Sequence, residues 1–187
     1  MDMWYGQDRK IIIYPCADNQ LLNVGCIHPA HLSTTSDGYD TAADKAQMLE
    51  IYRSFNPAAQ SLLRLADPKS LKVYPLYDMD NLLTFTKDRL ALVGDAAHPF
   101  LPHLAQGGAQ AIEDGISLGV MLSRGTAASE VPARLKLYDE ARYHRASQVQ
   151  EYTRLVGRDG LKTEDGDADH FSCAHILIIA VGLACAD

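Results

Sequence analysis

Apolar and polar positions alternate along the chain in blocks that predict short strands first and longer helices later. Residues 10–14 (KIIIY) and 21–27 (LLNVGCI) are two β-rich apolar runs separated by Pro15 and the polar turn Asp18, Asn19, Gln20, and they predict a hairpin. Thr41 followed three residues later by Asp44 predicts a capped helix start, after which Met48, Leu49, Tyr52 and Phe55 fall on one helical face. Asn56 and Pro57 end that helix and open a second one through Leu62, Leu63 and Leu65, stopped by Asp67 and Pro68. Leu71, Val73 and Tyr77 then predict a returning strand.

Residues 89–93 (RLALV) form a strongly apolar run that breaks off at Gly94 and Asp95, as a buried strand does when it delivers its last residues to a loop. From about Gly108 a helix is expected, with Ile112, Ile116 and Val120 in one stripe that should face a sheet and a stop at Gly125 after Arg124. Beyond a small-residue linker at 126–129, Pro132 opens a long helix through Leu135, Tyr138, Tyr152 and Val156, closed by Gly157. Arg142, Arg145, Arg154 and Arg158 along it are expected to form a solvated face paired with Asp139, Glu140 and Glu151. The fold class is therefore α/β (α+β mixed).

Composition narrows the function. With 187 residues, 47% hydrophobic and 22% charged, the chain can bury a sizeable core and is not a disordered one. A net charge of -7 without any basic run speaks against nucleic acid or an anionic membrane as partner. The start, Met1, Asp2, Met3, Trp4, has neither a basic nor an apolar leader segment, so the cytoplasm is the expected location. The apolar run at 176–186 is shorter than the roughly 17 to 25 residues of a membrane-crossing helix and reads as a short buried or aggregation-prone tail.

Two motif-like features lose to plainer explanations. Cys16, Cys26, Cys173 and Cys185 share no close spacing and read as free thiols, while His28 and His31 lack a third metal partner and read as surface or loop histidines. Gly115, Ile116, Ser117, Leu118, Gly119 spells GxSxG, yet the residues before it continue a helical period, so Ser117 falls in mid-helix rather than on a nucleophile elbow.

The stretch at 89–115, RLALVGDAAHPFLPHLAQGGAQAIEDG, carries more chemistry. A carboxylate at a strand end can accept hydrogen bonds from polyol hydroxyls, and a Gly-Gly helix start lets backbone amides approach a planar, electron-rich ligand. Gly94, Asp95, Ala96, His98, Pro102, Gln106, Gly107, Gly108, Glu113 and Asp114 resemble the second flavin motif of the FAD-dependent aromatic-ring monooxygenases, the salicylate hydroxylase and para-hydroxybenzoate hydroxylase type. Trp4, Gly6, Tyr14, Pro15 and Asn23 are similar to that family's substrate-binding strands, the segment 74–78 to its return toward the flavin, and Tyr138, Arg142 and Arg145 to its C-terminal helix.

The resemblance implies the C-terminal part of a FAD/NAD(P)-binding monooxygenase fold. It implies a partial substrate-binding β-sheet with helices at 1–85, a flavin-closing strand, loop and helix with C-terminal helices at 86–160, and an atypical tail at 161–187. Cofactor binding falls to Gly94, Asp95, Ala96, Pro102, Gln106, Gly107, Gly108 and Ala109, with Asp95 on the ribityl chain of FAD and the 102–109 loop along the flavin ring. No metal is implied, so His98 and His103 are not ligands. The implied reaction takes electrons from NADH or NADPH, uses O2, and places one hydroxyl on a small aromatic or polyketide-like substrate.

The family's first flavin motif, GxGxxG, is missing, and Asp37-Gly38, Asp159-Gly160 and Asp165-Gly166 lack the setting of its middle Asp-Gly motif. An N-terminal half or self-association is thus an expected partner. Two other readings stay open: a non-catalytic remnant that needs a partner subunit, and a flavoprotein of the same fold, a dehydrogenase or halogenase, that inserts no oxygen. Ala105 stands where many members have glycine, and Phe85 near a position often tryptophan.

Overall fold

The computed structural model describes residues 1–33, 41–159 and 174–182. They fall into two units, Met1–Leu76 with Arg158–Asp187, and Tyr77–Gly157.

The first unit is built on a six-stranded sheet of order β1-β2-β3-β8-β5-β4. Strands β1 (Asp2–Tyr5), β2 (Lys10–Cys16) and β3 (Leu21–Pro29) form an antiparallel meander with Ile11 opposite Cys26 and Ile13 opposite Val24. The expected hairpin is present, and its tip runs through Ala17, Asp18 and Asn19 at φ 50°, 53° and 64°. Asp and Asn tolerate this left-handed region better than most residues. Strands β4 (Thr41–Ala42) and β5 (Lys72–Leu76) pair at the other end.

Between the two pieces lies β8 (Ala174–Gly182), antiparallel to both β3 and β5. Residues 176–182 of the apolar run read as a tail are therefore part of a central strand, and residues 183–186 lie outside the described residues. An apolar stretch with a hydrogen-bonded neighbour on each side can bury both of its faces, which is why it lacks the alternation that marks a half-exposed strand.

One face of the sheet carries α1 (Lys45–Ile51) and α2 (Pro57–Arg64). Asp44, not Thr41, caps α1 by accepting the Ala46 amide at 2.9 Å, and Thr41 instead belongs to β4. A carboxylate directly before the first turn reaches its amides, whereas the earlier Thr41 is held by the sheet. Asn56 caps α2 from the Ala59 amide at 2.9 Å, with Pro57 in the first turn as expected. Ile11, Ile13, Val24, Cys26 and Val73 pack there against Met48, Ile51, Tyr52, Ala59 and Leu63. Each large side chain so buried contributes on the order of 1.5 to 3 kcal/mol.

His28 is not a surface histidine: it is fully buried, with Nδ1 3.1 Å from the Tyr52 hydroxyl and Nε2 2.8 Å from Ser33 Oγ. The β3 backbone turns it toward the helices, where two hydroxyls satisfy it. His31 is exposed, as expected. Cys16 and Cys26 are free, burial pushes the Cys26 thiol well above its usual range, and Cys173 and Cys185 lie outside the described residues.

In the second unit the expected buried strand at 89–93 shrinks to a ribbon of β6 (Thr86–Lys87) and β7 (Leu90–Ala91), turning at Asp88 with φ 53°. Leu90 and Val93 are 58% and 43% exposed, since within this unit no further described strand pairs with the ribbon. Helix α3 (Gly107–Met121) follows and ends where the Leu122 amide bonds to the Leu118 carbonyl, short of Gly125. Its stripe does not face a sheet: Ile112, Ile116 and Val120 are 66%, 63% and 66% exposed. The opposite side of α3 meets the core of Phe85, Ala97, Tyr138 and Ala146 through Leu118 and Met121. Ser117 is inside α3, as expected.

Helix α4 (Val131–Asp159) is the long one, with Pro132 in its first turn. Gly157 lies within it rather than closing it. A Cβ at Gly157 would stand 2.6 Å from the His103 imidazole, so glycine is needed there for close approach rather than as a helix stop. Among the described residues no helix is long and apolar enough to cross a membrane.

Candidate functional site

The Gly-Asp-Ala sequence forms a single tight turn, Gly94–Ala96, with Gly94 at φ +55°. A Cβ on Gly94 would sit 3.3 Å from Ala111 Cβ of α3, so this turn is pressed against the helix. Its amide donates to Asp114 Oδ2 at 2.8 Å, and His98 Nε2 lies 2.7 Å from the same oxygen. The other carboxylate oxygen accepts from Arg142 Nε at 2.7 Å. Arg142 also donates to Gln110 Oε1 at 2.7 Å and to Glu113 at 2.5 Å. The Asp114 side chain is 0% exposed and Arg142 6%, so a carboxylate and a guanidinium neutralise each other away from water and hold turn, α3 and α4 together.

Arg142, Arg145 and Arg154 of α4 are thus held by acids outside their own helix. Arg142 is buried on α3, Arg145 clamps Glu113 at 2.8 and 2.9 Å, and Arg154 clamps Asp78 at 2.6 and 3.0 Å. The side chain of Arg158 lies outside the described residues. Asp139 turns to the ribbon and accepts from the Phe85 amide at 2.7 Å and Thr84 Oγ1 at 2.8 Å. Acids brought close by folding offer two-oxygen, charge-assisted contacts that helix neighbours cannot match. The hydrogen bond from Arg145, with help from Arg142, lowers the Glu113 carboxyl to about 2.

Residues 97–106 are tied to α4 in turn. Gln150 Nε2 donates to the carbonyls of Pro99 and Met79, each at 3.0 Å, and Thr153 Oγ1 to that of Leu101 at 2.6 Å. Pro102 opens a short turn, Pro102–Leu104, which ends at Ala105 with φ 53°. A left-handed backbone at this position favours glycine over the alanine present.

Three features of this region face solvent. Asp95 is exposed, and among the described residues its carboxylate has no hydrogen-bond or ion-pair partner. Gln106 gives α3 no side-chain cap, which leaves the first-turn amides of Gly107, Gly108 and Ala109 without a side-chain acceptor. A Cβ at Gly108 would meet nothing within 4 Å. An unpartnered carboxylate suits hydroxyl groups, and an open, uncapped helix start suits an electron-rich ring edge. Of the residues singled out from sequence, Gly94, Asp95 and Ala96 make the turn, Pro102 the next turn, and Gln106, Gly107, Gly108 and Ala109 the helix start.

The FAD binding domain family matches residues 32–153. A FAD-dependent monooxygenase, atnJ, of an Arthrinium species is 32% identical over 165 residues, 88% of this chain and 38% of the relative. The 6-hydroxynicotinate 3-monooxygenase of Bordetella bronchiseptica is 38% identical over 58% of this chain and 27% of its own. Among solved structures, a salicylate hydroxylase substrate complex superposes with a TM-score of 0.69 at 29% identity, covering 90% of this chain and 42% of that one. The crystal structure of FqzB gives 0.74 at 25% identity, over 91% and 41%.

The chain belongs to the FAD binding domain family, and the relatives it matches are FAD-dependent monooxygenases and hydroxylases. FAD is that family's cofactor, and the open features at Asp95 and Gly108 fit it. The chain spans about two-fifths of the length of such relatives, 38% of atnJ.

The carboxylate that orders the turn, Asp114, and the arginine that balances it were visible only as motif letters. Their signal was the pairing of an acidic dipeptide on one helix with an arginine on the next, which acquires meaning once the two helices are known to touch.

Proposed function

We propose that the chain provides the flavin-closing turn and helix, and part of the substrate sheet, of a FAD-dependent monooxygenase that hydroxylates a small aromatic compound with NADH or NADPH and O2. Asp95 accepts hydrogen bonds from the ribityl hydroxyls. The amides of Gly107, Gly108 and Ala109 face the electron-rich edge of the ring, with Gly94, Ala96, Pro102 and Gln106 shaping the approach. Bound FAD would supply a two-electron centre that reacts with nicotinamide and oxygen. The chain's own part is fixed polarity: the start of α3 carries about half a positive charge that need not reorganise as negative charge grows nearby.

The observation that carries this reading is the exposed, unpartnered Asp95 carboxylate one residue after Gly94, whose amide is anchored on Asp114. The test is a FAD titration followed by flavin fluorescence, with Asp95→Ala as control. Tight binding that weakens at least about tenfold in the variant, the loss of one or more charge-assisted hydrogen bonds, supports it. Equal affinity removes Asp95 from the site.

A second reading is favoured by the exposed Ile112, Ile116 and Val120 stripe: flavin binding needs a further polypeptide seated on α3. Its signature is a chain that binds no FAD alone and gains binding when the remaining part of a full-length relative is added. Hydroxylation, as opposed to dehydrogenation or halogenation, is tested by product analysis under labelled O2.

A further inference from the structure

Helix α3 has one face that is apolar throughout. None of its exposed residues has a polar side chain: Ile112, Ile116 and Val120 stand beside Gly108, Gly115 and Gly119. A Cβ at any of these three glycines would meet nothing within 4 Å, so they leave open notches between the branched side chains. The acids of α3, Glu113 and Asp114, are held by Arg142 and Arg145 and take no part in this face. A continuous apolar face of about four helical turns marks a contact surface.

The face is complementary to itself in one register. With two copies of α3 antiparallel about a two-fold axis between Gly115 and Ile116, Ile112 lies opposite Gly119, Ile116 opposite Gly115, and Val120 opposite Ala111. Each branched side chain then meets a glycine or an alanine, as when the ridges of one helix enter the grooves of another at close approach. The same register brings Arg124, just beyond the last turn, near Gly107 at the other helix start, where the turn bearing Asp95 packs on α3. Arg124 and Asp95 are both exposed, and among the described residues neither has a hydrogen-bond or ion-pair partner. Opposite charges therefore meet at both ends of the pair, and the two helix dipoles run in opposite directions.

We propose that this face is a homodimer interface. Two copies of the chain pair antiparallel through Ile112, Gly115, Ile116, Gly119 and Val120, with Arg124 of each copy reaching the Asp95 turn of the other. A second copy is favoured over an unrelated partner because the charges at the two ends of the face already complement one another. Each copy also carries a net charge of -7, which opposes pairing wherever acids face acids, and the α3 face is free of that repulsion. Two helices about 22 Å long bury less than the roughly 800 Å² per partner of a lasting interface, so the pairing is reversible and concentration-dependent. This gives to a second copy the face that the second reading above leaves to a further polypeptide, and it does not rest on flavin binding.

Sedimentation equilibrium of the full chain without FAD, at concentrations up to about 1 mM, reads the monomer–dimer equilibrium. A reversible dimer is expected. Ile116→Lys brings two ammonium groups together at the axis, and Gly115→Leu fills a notch that is open in the single chain. Each should raise the dissociation constant at least about tenfold. Arg124→Glu should weaken the dimer as well, and Arg124→Glu combined with Asp95→Arg should restore it. All four altered positions are exposed in a single chain, so the variants should keep the circular dichroism spectrum of the unaltered protein. A chain that stays monomeric, one whose association does not stop at two copies, a dimer indifferent to Ile116→Lys and Gly115→Leu, or a charge swap that restores nothing overturns the proposal. A monomer that instead binds the remaining part of a full-length relative overturns it too and gives the face to that part. Because FAD is absent, none of these outcomes bears on the flavin site.

Discussion

Gly94 and Asp114, 20 residues apart in the chain, are joined by a 2.8 Å hydrogen bond from the turn amide to the helix carboxylate. The bond makes the position of Asp95 depend on a side chain that faces away from solvent. His98 and Arg142 hold the same carboxylate, so the exposed acid is positioned by a buried one.

Asp114→Asn tests this arrangement. The amide side chain can still accept the Gly94 bond but leaves Arg142 buried without its full counter-charge. Breaking a buried pair from one side costs about 3 kcal/mol or more, a large part of a domain's stability. A clear fall in the urea midpoint is expected, together with weaker FAD binding in the fraction that remains folded.

Ala105→Gly should go the other way. Ala105 holds φ 53°, where an L-residue with a Cβ pays roughly 1 to 2 kcal/mol, and glycine returns part of that to greater freedom in the unfolded chain. A gain of up to about 1 kcal/mol in urea unfolding is expected, and a loss would show that the Ala105 methyl makes contacts that outweigh its strain.

Gly157→Ala places a methyl carbon 2.6 Å from the His103 ring. Helix propensity alone would favour alanine by about 1 kcal/mol. Unfolding measurements should instead show destabilisation, and the change should turn favourable in a His103→Ala background, where the ring is gone.

The pH dependence of stability should carry the imprint of Glu113. Its carboxyl is lowered from 4.5 to about 2 by Arg145 and Arg142. A carboxyl whose folded value lies below its unfolded value gives its full stabilisation above 4.5 and loses it as pH falls toward 2. Thermal midpoints should therefore decline across that window, and Glu113→Gln should flatten the part of the decline due to this residue.

The elements with local causes were legible in the sequence. The β2–β3 hairpin announces itself through apolar runs around Asp18 and Asn19, α2 through Asn56 and Pro57, and the tight turn after β7 through Gly94 and Asp95. What escaped depends on partners remote in sequence. Ile112, Ile116 and Val120 have the period of a core stripe, but a period says which residues share a face and not what covers it. Arg142 has acids on its own helix and acids on α3, and only the packing of the two helices chooses the latter.

The position of β8 has a consequence for the order of assembly. β3 and β5 share no ladder with each other, and each is hydrogen-bonded to β8 across the middle of the sheet. During synthesis the β1-β2-β3 meander and the β4-β5 pair therefore emerge as separate pieces, each with an open edge, until residues 174–182 arrive to join them. The nascent chain must carry those unpaired edges through the making of α3 and α4, the period in which chaperone holding guards best against edge-to-edge aggregation.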